Sequence, residues 1–355
     1  MTRTSGRRTR GRSIIAGALA AASALLLTSC TPQAPVVSAS APAPVTFADG
    51  LDTPWSMVFY GDALLVSERD SVRVLEFDEN GERHEVGVID GVAPGGEGGL
   101  LGLAVRDDEL FTYITGVEEN RVERRTILGE PGELSLGEPT SVIDGIPSAS
   151  NHNGGRIAFG PDGMLYITTG DAGERDSAQD VEALSGKILR LTAEGGIPAD
   201  NPFPDSPVYS YGHRNPQGIG WDAEGMMYAS EFGQDTWDEL NVIEPGGNYG
   251  WPEVEGTAGD GDFIDPVQQW RPSEASPSGI AVTGSDILIA NLRGERLRRV
   301  PLDDLASGTE DYFGRFGRLR DVLVAEGAVW MLTNNTDGRG DPGDGDDRII
   351  LIPMD

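Results

Sequence analysis

Residues 157–171 read Ile-Ala-Phe-Gly-Pro-Asp-Gly-Met-Leu-Tyr-Ile-Thr-Thr-Gly-Asp, which is an apolar run, a tight turn and a second apolar run. Gly, Pro and Asp provide the dihedral angles of a short turn, and the flanking runs are rich in residues that favour strands. The pattern predicts a β-hairpin. Five other segments follow the same template and begin 42 to 62 residues apart, at Met57, Leu103, Ile219, Ile280 and Val322.

Each hairpin is usually followed by a third strand-like run, such as residues 72–77 or 187–191. A hairpin of this size cannot bury its apolar face alone, so the copies must stack. Radial stacking of four-stranded antiparallel sheets gives a β-propeller. Six copies therefore predict an all-β fold, a six-bladed β-propeller. A two-sheet sandwich is the alternative, but that fold does not require the same hairpin pattern to recur six times.

The first 29 residues have the pattern of an export signal. Five arginines precede an apolar segment, residues 13–27, that is short for a membrane span. The segment leads into Leu27-Thr28-Ser29-Cys30, which resembles the lipobox of bacterial lipoproteins, and Cys30 is the only cysteine of the chain. We expect residues 1–29 to be a lipoprotein signal peptide and Cys30 to be acylated, so that the protein is exported and anchored at the outer face of the cell membrane. An ordinary signal peptide is the alternative.

Residues 30–45 are rich in Pro, Ala and Ser and show no burial pattern, which predicts a tether. Residues 46–355 then form a single propeller domain. The formal net charge of −31 repels nucleic acid and anionic membranes, so the lipid anchor is the one expected membrane contact. Without a further cysteine, this domain has neither disulfides nor thiolate metal ligands.

The chain contains three histidines, and two of them occupy equivalent places. His152 and His213 lie in the loops that lead into the third and fourth hairpins, and such loops converge on the central channel of a propeller. A loop histidine is more often structural than catalytic. However, Asp171 follows the second strand of the hairpin after His152 and returns to the same end, which is the arrangement of a general base and its orienting acid. The alternative for Asp171 is an Asx-turn. His84 lies in a polar stretch and is expected at the surface.

Several motifs resemble one enzyme family. These are Asn-His-Asn-Gly-Gly-Arg at 151–156, Gly-His-Arg-Asn-Pro-Gln-Gly at 212–218 and Gly-Gly-Asn-Tyr-Gly-Trp-Pro at 246–252. Together with residues 159–171, they resemble the pyrroloquinoline quinone (PQQ)-dependent soluble aldose/glucose dehydrogenases, the glucose/sorbosone dehydrogenase family of six-bladed propellers. The resemblance covers essentially the whole domain. It implies a PQQ- and Ca²⁺-dependent enzyme that oxidises the C1 hydroxyl of sugars to lactones and passes electrons to an acceptor that the sequence does not identify.

The resemblance assigns catalytic roles to His152, Asp171 and Arg214. The family histidine that matches His152 is the general base, which takes the proton of the anomeric hydroxyl while hydride passes to PQQ. The acid that matches Asp171 orients this base. Arg214 and Asn215 match a pair that contacts the quinone, where a fixed cation stabilises developing charge.

Further cofactor contacts are implied for Arg318 and Arg320, which match the family pair that binds the tricarboxylate edge of PQQ. Arginine suits planar carboxylates because its guanidinium donates two parallel hydrogen bonds. The alternative is a solvated charge stripe on an edge strand.

Two calcium ions are also implied by the resemblance. One ion lies on PQQ and is held partly by backbone carbonyls of the segment that contains Gly233 and Gln234. The other is structural and is associated with Glu239 and the carbonyl of Tyr249. The acidic run at 337–347 lacks EF-hand spacing and is expected to be first a solvated loop and second a calcium site.

The chain departs from the family pattern at three places. Glu97 replaces the usual glutamine, Arg293 replaces a lysine, and the segment around Gly233 lacks the usual proline. Glu97 and Arg293 are nevertheless expected among the cofactor contacts. A carboxylate at position 97 beside a cofactor that carries carboxylates requires Ca²⁺, Arg214 or a proton to be tolerated.

Two other functions remain open at this point. One is a calcium-dependent propeller lactonase or hydrolase, and the other is a carbohydrate- or protein-binding propeller that has lost PQQ. The fold alone does not choose among them. A hydrolase has no need of several arginines around one planar anion, and a pure binder has no need of a His152–Asp171 pair.

Overall fold

All six predicted hairpins are present, and each forms the inner two strands of a four-stranded antiparallel path. The computed structural model describes residues 43–259 and 261–354. The predicted signal peptide, Cys30 and nearly all of the predicted tether therefore lie outside the described residues.

The first three blades in chain order contain strands β2 to β14. Blade one consists of β2 Pro54–Tyr60, β3 Ala63–Glu68, β4 Arg73–Phe77 and β5 Arg83–Val88. Blade two consists of β6 Leu100–Arg106, β7 Glu109–Thr115, β8 Glu119–Leu128 and β10 Thr140–Pro147, with the short β9 Ser135–Leu136 paired to β8. Blade three consists of β11 Ile157–Phe159, β12 Leu165–Thr169, β13 Lys187–Leu191 and β14 Val208–Tyr211.

The remaining three blades contain strands β15 to β25 together with the first strand of the domain. Blade four consists of β15 Pro216–Trp221, β16 Met227–Glu231, β17 Asp238–Ile243 and β18 Gln268–Trp270. Blade five consists of β19 Pro277–Val282, β20 Asp286–Asn291, β21 Arg296–Pro301 and β22 Thr309–Asp311. Blade six consists of β23 Leu319–Ala325, β24 Ala328–Thr333, β25 Ile349–Pro353 and β1 Val45–Ala48.

The outermost strand of blade six comes from the other end of the chain. β1 pairs antiparallel with β25, with Val45 opposite Leu351 and Thr46 opposite Ile350. The last blade is therefore completed by the beginning of the domain. β1 starts at the last residue of the segment predicted as a tether, and no local pattern predicts it as a strand.

The first strands of the six blades form a closed ring. β2 contacts β6, β6 contacts β11, and the contacts continue through β15, β19 and β23 back to β2. In an antiparallel blade, the start of the first strand and the end of the second lie at the same end of the sheet. The loops at these two positions therefore gather at one mouth of the central channel.

Within the part of the chain that the structure describes, six hydrophobic clusters lie between neighbouring blades. Because successive strand residues point to opposite faces, Leu64 packs toward blade six and Leu65 toward blade two. Leu288 and Ile289 divide in the same way between blades six and four. Each fully buried side chain of this size stabilises the fold by about 1.5–3 kcal/mol. This two-sided burial explains why the inner strands read as continuous apolar runs.

Helical structure is almost absent from residues 43–259 and 261–354. It amounts there to one 3-10 turn, Arg175–Gln179. None of the helical structure described is long and apolar enough to cross a membrane.

Candidate active site

A cleft of about 410 Å³ lies among the loops at one mouth of the channel. This volume is within the usual range for small-molecule sites. Seven of the residues predicted from the sequence line it: Glu97, His152, Arg214, Gly233, Gln234, Arg293 and Arg318. They come from blades two to six and span more than two hundred positions, so the fold brings them together.

A second cavity, of about 250 Å³, lies within the channel and is lined by all six innermost strands. Its walls are mostly apolar, and its ionic groups, Arg156 and Asp321, are already paired at 2.9 Å. This cavity contains neither a histidine nor an unpaired charge. The first cleft is therefore the candidate active site.

His152 and Asp171 form a hydrogen-bonded pair at the cleft. Nδ1 of His152 lies 2.7 Å from Oδ1 of the fully buried Asp171, and the indole N–H of Trp251 donates to Oδ2 at 2.8 Å. Burial alone would raise the pKa of Asp171, but these hydrogen bonds and one from the N–H of Gly173 outweigh burial and lower it. The ionised carboxylate keeps the proton of neutral His152 on Nδ1, which leaves the lone pair of Nε2 to accept a proton.

The backbone of His152 adopts a conformation that is uncommon for this residue type. Its φ is 57°, in the left-handed region. The N–H of His152 donates to Oε2 of Glu97 at 3.0 Å, and its carbonyl accepts from the N–H of Ala172 at 3.2 Å. The N–H and the carbonyl of His152 are thus both hydrogen-bonded. Backbone contacts as well as the side-chain contact with Asp171 therefore fix the orientation of the imidazole.

Glu97 forms an ion pair with Arg339, a residue outside the predicted site. Oε1 of Glu97 lies 3.0 Å from Nη1 of Arg339, in the loop after β24. Burial would raise the pKa of Glu97, but the N–H of His152 and the charge of Arg339 outweigh burial and lower it. Arg339 therefore balances the charge of this carboxylate, in addition to the three possibilities named from the sequence. Because 242 residues separate the partners, no local pattern could have revealed the pair.

Arg214 lies beside His152 in the cleft wall and is held at several atoms. Its backbone N–H donates to Glu231, its Nη1 donates to the carbonyl of Phe232 at 3.1 Å, and its Nη2 donates to Oε1 of Gln234 at 3.2 Å. Burial lowers the pKa of Arg214, although nearby carboxylates act in the opposite direction. Its planar guanidinium is therefore fixed in position before any ligand binds.

Asn215 contributes a buried donor that lacks a partner. Its Oδ1 accepts the N–H of Gly154 at 2.9 Å, whereas its Nδ2 is buried and, within residues 43–259 and 261–354, has no hydrogen-bond acceptor. An unsatisfied buried donor costs about 1–3 kcal/mol. Asn215 is fully buried and is not among the residues that line the cleft, so the cofactor contact that the resemblance implies remains a prediction.

Three further arginines were predicted to contact the cofactor, and the structure places them differently. Arg293 lines the cleft and is exposed, and no described residue pairs with it. Arg318 also lines the cleft and donates to Asp337 at 2.8 Å. Arg320 is not part of the lining. Its guanidinium donates instead to Gln217 at 2.8 Å and to Asn334 at 3.0 Å.

The donor set fits PQQ, a planar quinone with three carboxylates. Arg214, Arg293 and Arg318 provide guanidinium groups at the cleft. Arginine groups recognise carboxylates through parallel hydrogen bonds. The same cleft contains the histidine whose Nε2 can accept a proton. The contact predicted for Arg320 remains a prediction.

The residues implied in calcium binding lie in two places. Gly233 and Gln234 line the cleft, and no described residue donates to their carbonyl oxygens. Across residues 43–259 and 261–354, no three acidic, histidine or cysteine side chains converge as metal ligands. A cation at the cleft would therefore depend on carbonyl oxygens, which Ca²⁺ accepts readily.

The second implied site contains two carboxylates on neighbouring strands. Glu231 of β16 lies directly opposite Glu239 of β17, and like charges in this position destabilise a sheet. Burial, together with the charge of Glu231, raises the pKa of Glu239 to about 8. The buried Oδ1 of Asn241, whose Nδ2 contacts Glu239, has no described donor. All four carboxylate oxygens of the pair already lie within hydrogen-bond distance of a described nitrogen, so the structural cation here remains a prediction.

Tyr249 belongs to the same neighbourhood as the Glu231–Glu239 pair. Its ring stacks on His213 with the centroids 4.6 Å apart. Nδ1 of His213 lies 2.8 Å from Glu231, and Nε2 lies 2.9 Å from Oγ of Ser210. His213 is fully buried, so it fixes the segment that carries Arg214 and is not open to substrate.

Comparison with known proteins agrees with this geometry. Residues 51–348 match the family model described as glucose/sorbosone dehydrogenase. A PQQ-bound aldose sugar dehydrogenase structure from Streptomyces coelicolor is 48% identical with a TM-score of 0.83, and the match covers 88% of this chain and 99% of that one. A putative glucose dehydrogenase structure from Thermus thermophilus is 39% identical with a TM-score of 0.80, again over 88% and 99%.

A curated relative from Escherichia coli, named an aldose sugar dehydrogenase, is 31% identical over 335 residues, which is 82% of this chain and 89% of that protein. The family model covers far more than half of the chain, and the ring of six blades is shared with the solved structures. This chain therefore belongs to the glucose/sorbosone dehydrogenase family.

Proposed function

We propose that this protein is an exported, PQQ- and Ca²⁺-dependent aldose sugar dehydrogenase that oxidises the C1 hydroxyl of its substrate to the lactone. The proposal is supported by family membership and by the PQQ-bound relative at 48% identity. The substrate is a small sugar. The electron acceptor is a separate molecule that regenerates the oxidised cofactor.

The observation that carries the proposal is the position of the His152–Asp171 pair on the same cleft as three arginines. Nδ1 of His152 is bonded to Asp171 at 2.7 Å, while Arg214, Arg293 and Arg318 line the same space. A base and a carboxylate-binding surface are thus within reach of one bound molecule. Neither feature alone would distinguish a dehydrogenase from a binding propeller.

The residues of this chain account for the proton side of the reaction. Nε2 of His152 accepts the proton of the anomeric hydroxyl, and the ionised Asp171 stabilises the imidazolium that forms. When bound, PQQ supplies the quinone that takes the hydride from C1. Arg214 is a fixed cation beside this centre and stabilises negative charge there without having to reorganise.

Residues that hold the cofactor are assigned by their chemistry. Arg293 and Arg318 would bind carboxylates, and Nδ2 of Asn215 would donate to a quinone oxygen. The carbonyls of Gly233 and Gln234 would coordinate Ca²⁺ at the cofactor, and Glu239 with Tyr249 would hold the structural ion. A bound dication polarises oxygens as a Lewis acid, which favours hydride acceptance.

Reconstitution tests this function directly. The purified protein, stripped with chelator, should not reduce an artificial dye with aldoses, and PQQ plus Ca²⁺ should restore activity where NAD or FAD does not. His152→Ala should abolish turnover but leave PQQ binding nearly intact. His84→Ala is the matched control, because His84 is an exposed strand residue. If the wild-type protein does not bind PQQ in a titration, the dehydrogenase proposal fails and a binding propeller takes its place.

The cellular location is proposed from the sequence. Export by the leader and acylation of Cys30 would hold the enzyme at the outer face of the membrane, where sugars are available. Cys30→Ala should release the protein from the membrane fraction, because the lipid is the proposed anchor. If the substituted protein stays with the membrane, this location is wrong.

A further inference from the structure

The loop between β16 and β17 is organised by a single carboxylate oxygen. Oε1 of Glu255 accepts hydrogen bonds from four consecutive backbone N–H groups, those of residues 234–237, at 2.8, 3.0, 2.8 and 2.9 Å. These bonds outweigh burial and lower the pKa of Glu255, so the carboxylate is ionised at neutral pH. The preceding N–H, of Gly233, donates to Asp238 at 2.9 Å.

This arrangement fixes the direction of the carbonyl groups. In a planar trans peptide, the N–H of one residue and the C=O of the residue before it point in opposite directions. The N–H groups of Gln234 and Asp235 point at Glu255, so the carbonyls of Gly233 and Gln234 point away from it. Both residues line the cleft, and no described residue donates to either carbonyl.

Glu255 is itself held in place by its neighbour in sequence. The N–H of Gly256 donates to Oε1 of the buried Glu239 at 2.7 Å. The carboxylate of Glu255 is therefore presented from a fixed backbone. The negative charge of Glu255 stabilises the four N–H groups that converge on it and so holds the loop in this conformation.

We propose that Glu255 is a positioning residue that pre-forms a divalent-cation site by aiming the carbonyl oxygens of Gly233 and Gln234 into the cleft. The inference rests on the proposed function, since the cation is the calcium ion that accompanies the cofactor there. Glu255 does not touch this ion. It acts through the loop, as outer residues do when they orient the ligands of a metal.

The test compares Glu255→Ala with Glu255→Gln and with the control Glu253→Gln. Glu253 is an exposed carboxylate two residues earlier in the same segment. Hydrogen–deuterium exchange of the metal-free protein should show loss of protection at residues 234–237 in Glu255→Ala. Titrations of Ca²⁺ in the presence of PQQ should show affinity reduced by about 10- to 100-fold. Glu255→Gln keeps an acceptor oxygen but loses the charge, so both properties should fall between those of Glu255→Ala and the wild type, and Glu253→Gln should match the wild type.

The outcomes separate this inference from the proposed function. If the wild type binds Ca²⁺ with PQQ and Glu255→Ala binds equally well despite a freely exchanging loop, the positioning role is overturned and the function stands. If the wild type binds neither ligand, both the function and the cation role of the loop are overturned. Should Glu255→Ala fail to fold, Glu255→Gln decides, because lost protection with unchanged affinity in that variant also contradicts the proposal.

Discussion

Replacing Glu97 by alanine should slow turnover much more than replacing its ion-pair partner, Arg339, by methionine. Glu97→Ala removes the acceptor of the His152 N–H, which is held at 3.0 Å. A hydrogen bond to a charged group contributes about 1.5–3 kcal/mol. The left-handed backbone of His152 costs about 1–2 kcal/mol. The two quantities are similar, so without Glu97 the histidine should leave its productive orientation for much of the time.

The expected decrease in kcat follows from these energies. A loss of 1.5–3 kcal/mol at the transition state lowers kcat by about tenfold to hundredfold. Arg339 is 53% exposed, and an exposed ion pair contributes about 0.2–1 kcal/mol, so Arg339→Met should lower kcat by less than about fivefold. Glu97→Gln keeps an acceptor oxygen and should fall between the two.

The assay is steady-state dye reduction by the reconstituted protein, with kcat and KM determined separately and PQQ affinity measured by titration. The effect should appear mainly in kcat, with a smaller change in PQQ affinity because Glu97 also lines the cleft. Wild-type kcat in Glu97→Ala would refute the reasoning. So would a greater loss in Arg339→Met than in Glu97→Ala, because the ion pair and not the backbone contact would then dominate.

Three other substitutions test separate parts of the molecule. Asp171→Asn should lower kcat by about a thousandfold or more with PQQ binding retained, because an amide favours the wrong tautomer of His152; a small effect in stopped-flow turnover would contradict the assignment of the base. Glu239 has its pKa raised to about 8, so the folded state favours its protonated form. This contribution to the free energy of unfolding is complete below about pH 4.5 and is lost as the pH rises through 8. Calcium must displace that proton, so calorimetry should show a larger Ca²⁺-induced rise in Tm at pH 9 than at pH 6, and Glu239→Gln should abolish the difference. Lys187 donates to three carbonyls at 2.7–3.1 Å, and Lys187→Met should destabilise the fold by about 3 kcal/mol in denaturant unfolding; an unchanged midpoint would show that the carbonyls find other donors.

Local sequence was sufficient to predict the hairpins because each contains its own turn. The Gly-Pro-Asp-Gly phrase at 160–163 determines where β11 ends and β12 begins, without help from distant residues. β1 was missed for the opposite reason. It has four residues, lies next to a Pro/Ala/Ser segment and gains its partner about three hundred positions later, so nothing local marks it as a strand.

The candidate site likewise contains residues that local motifs predict and contacts that they do not predict. The motifs placed His152, Arg214 and Asn215 in adjacent loops because their blades are neighbours in sequence. The contacts from Arg339 to Glu97 and from Trp251 to Asp171 cross 242 and 80 residues and have no periodic signal. Arg320 follows Arg318 by two positions, but the register of β23 is irregular between Leu319 and Asp321. Such an irregularity breaks the alternation of side chains, so the second arginine is buried among Gln217 and Asn334.

The pairing of β1 with β25 has a consequence for how the molecule is made. The outermost strand of the last blade is among the first described residues in chain order, while its partner, Ile349–Pro353, is among the last. The ring therefore cannot close until the whole polypeptide is available in one compartment. For a chain that crosses a membrane as an unfolded thread, β1 must wait unpaired on the far side until the final strand arrives. A chain truncated before Ile349 would leave blade six open at its edge.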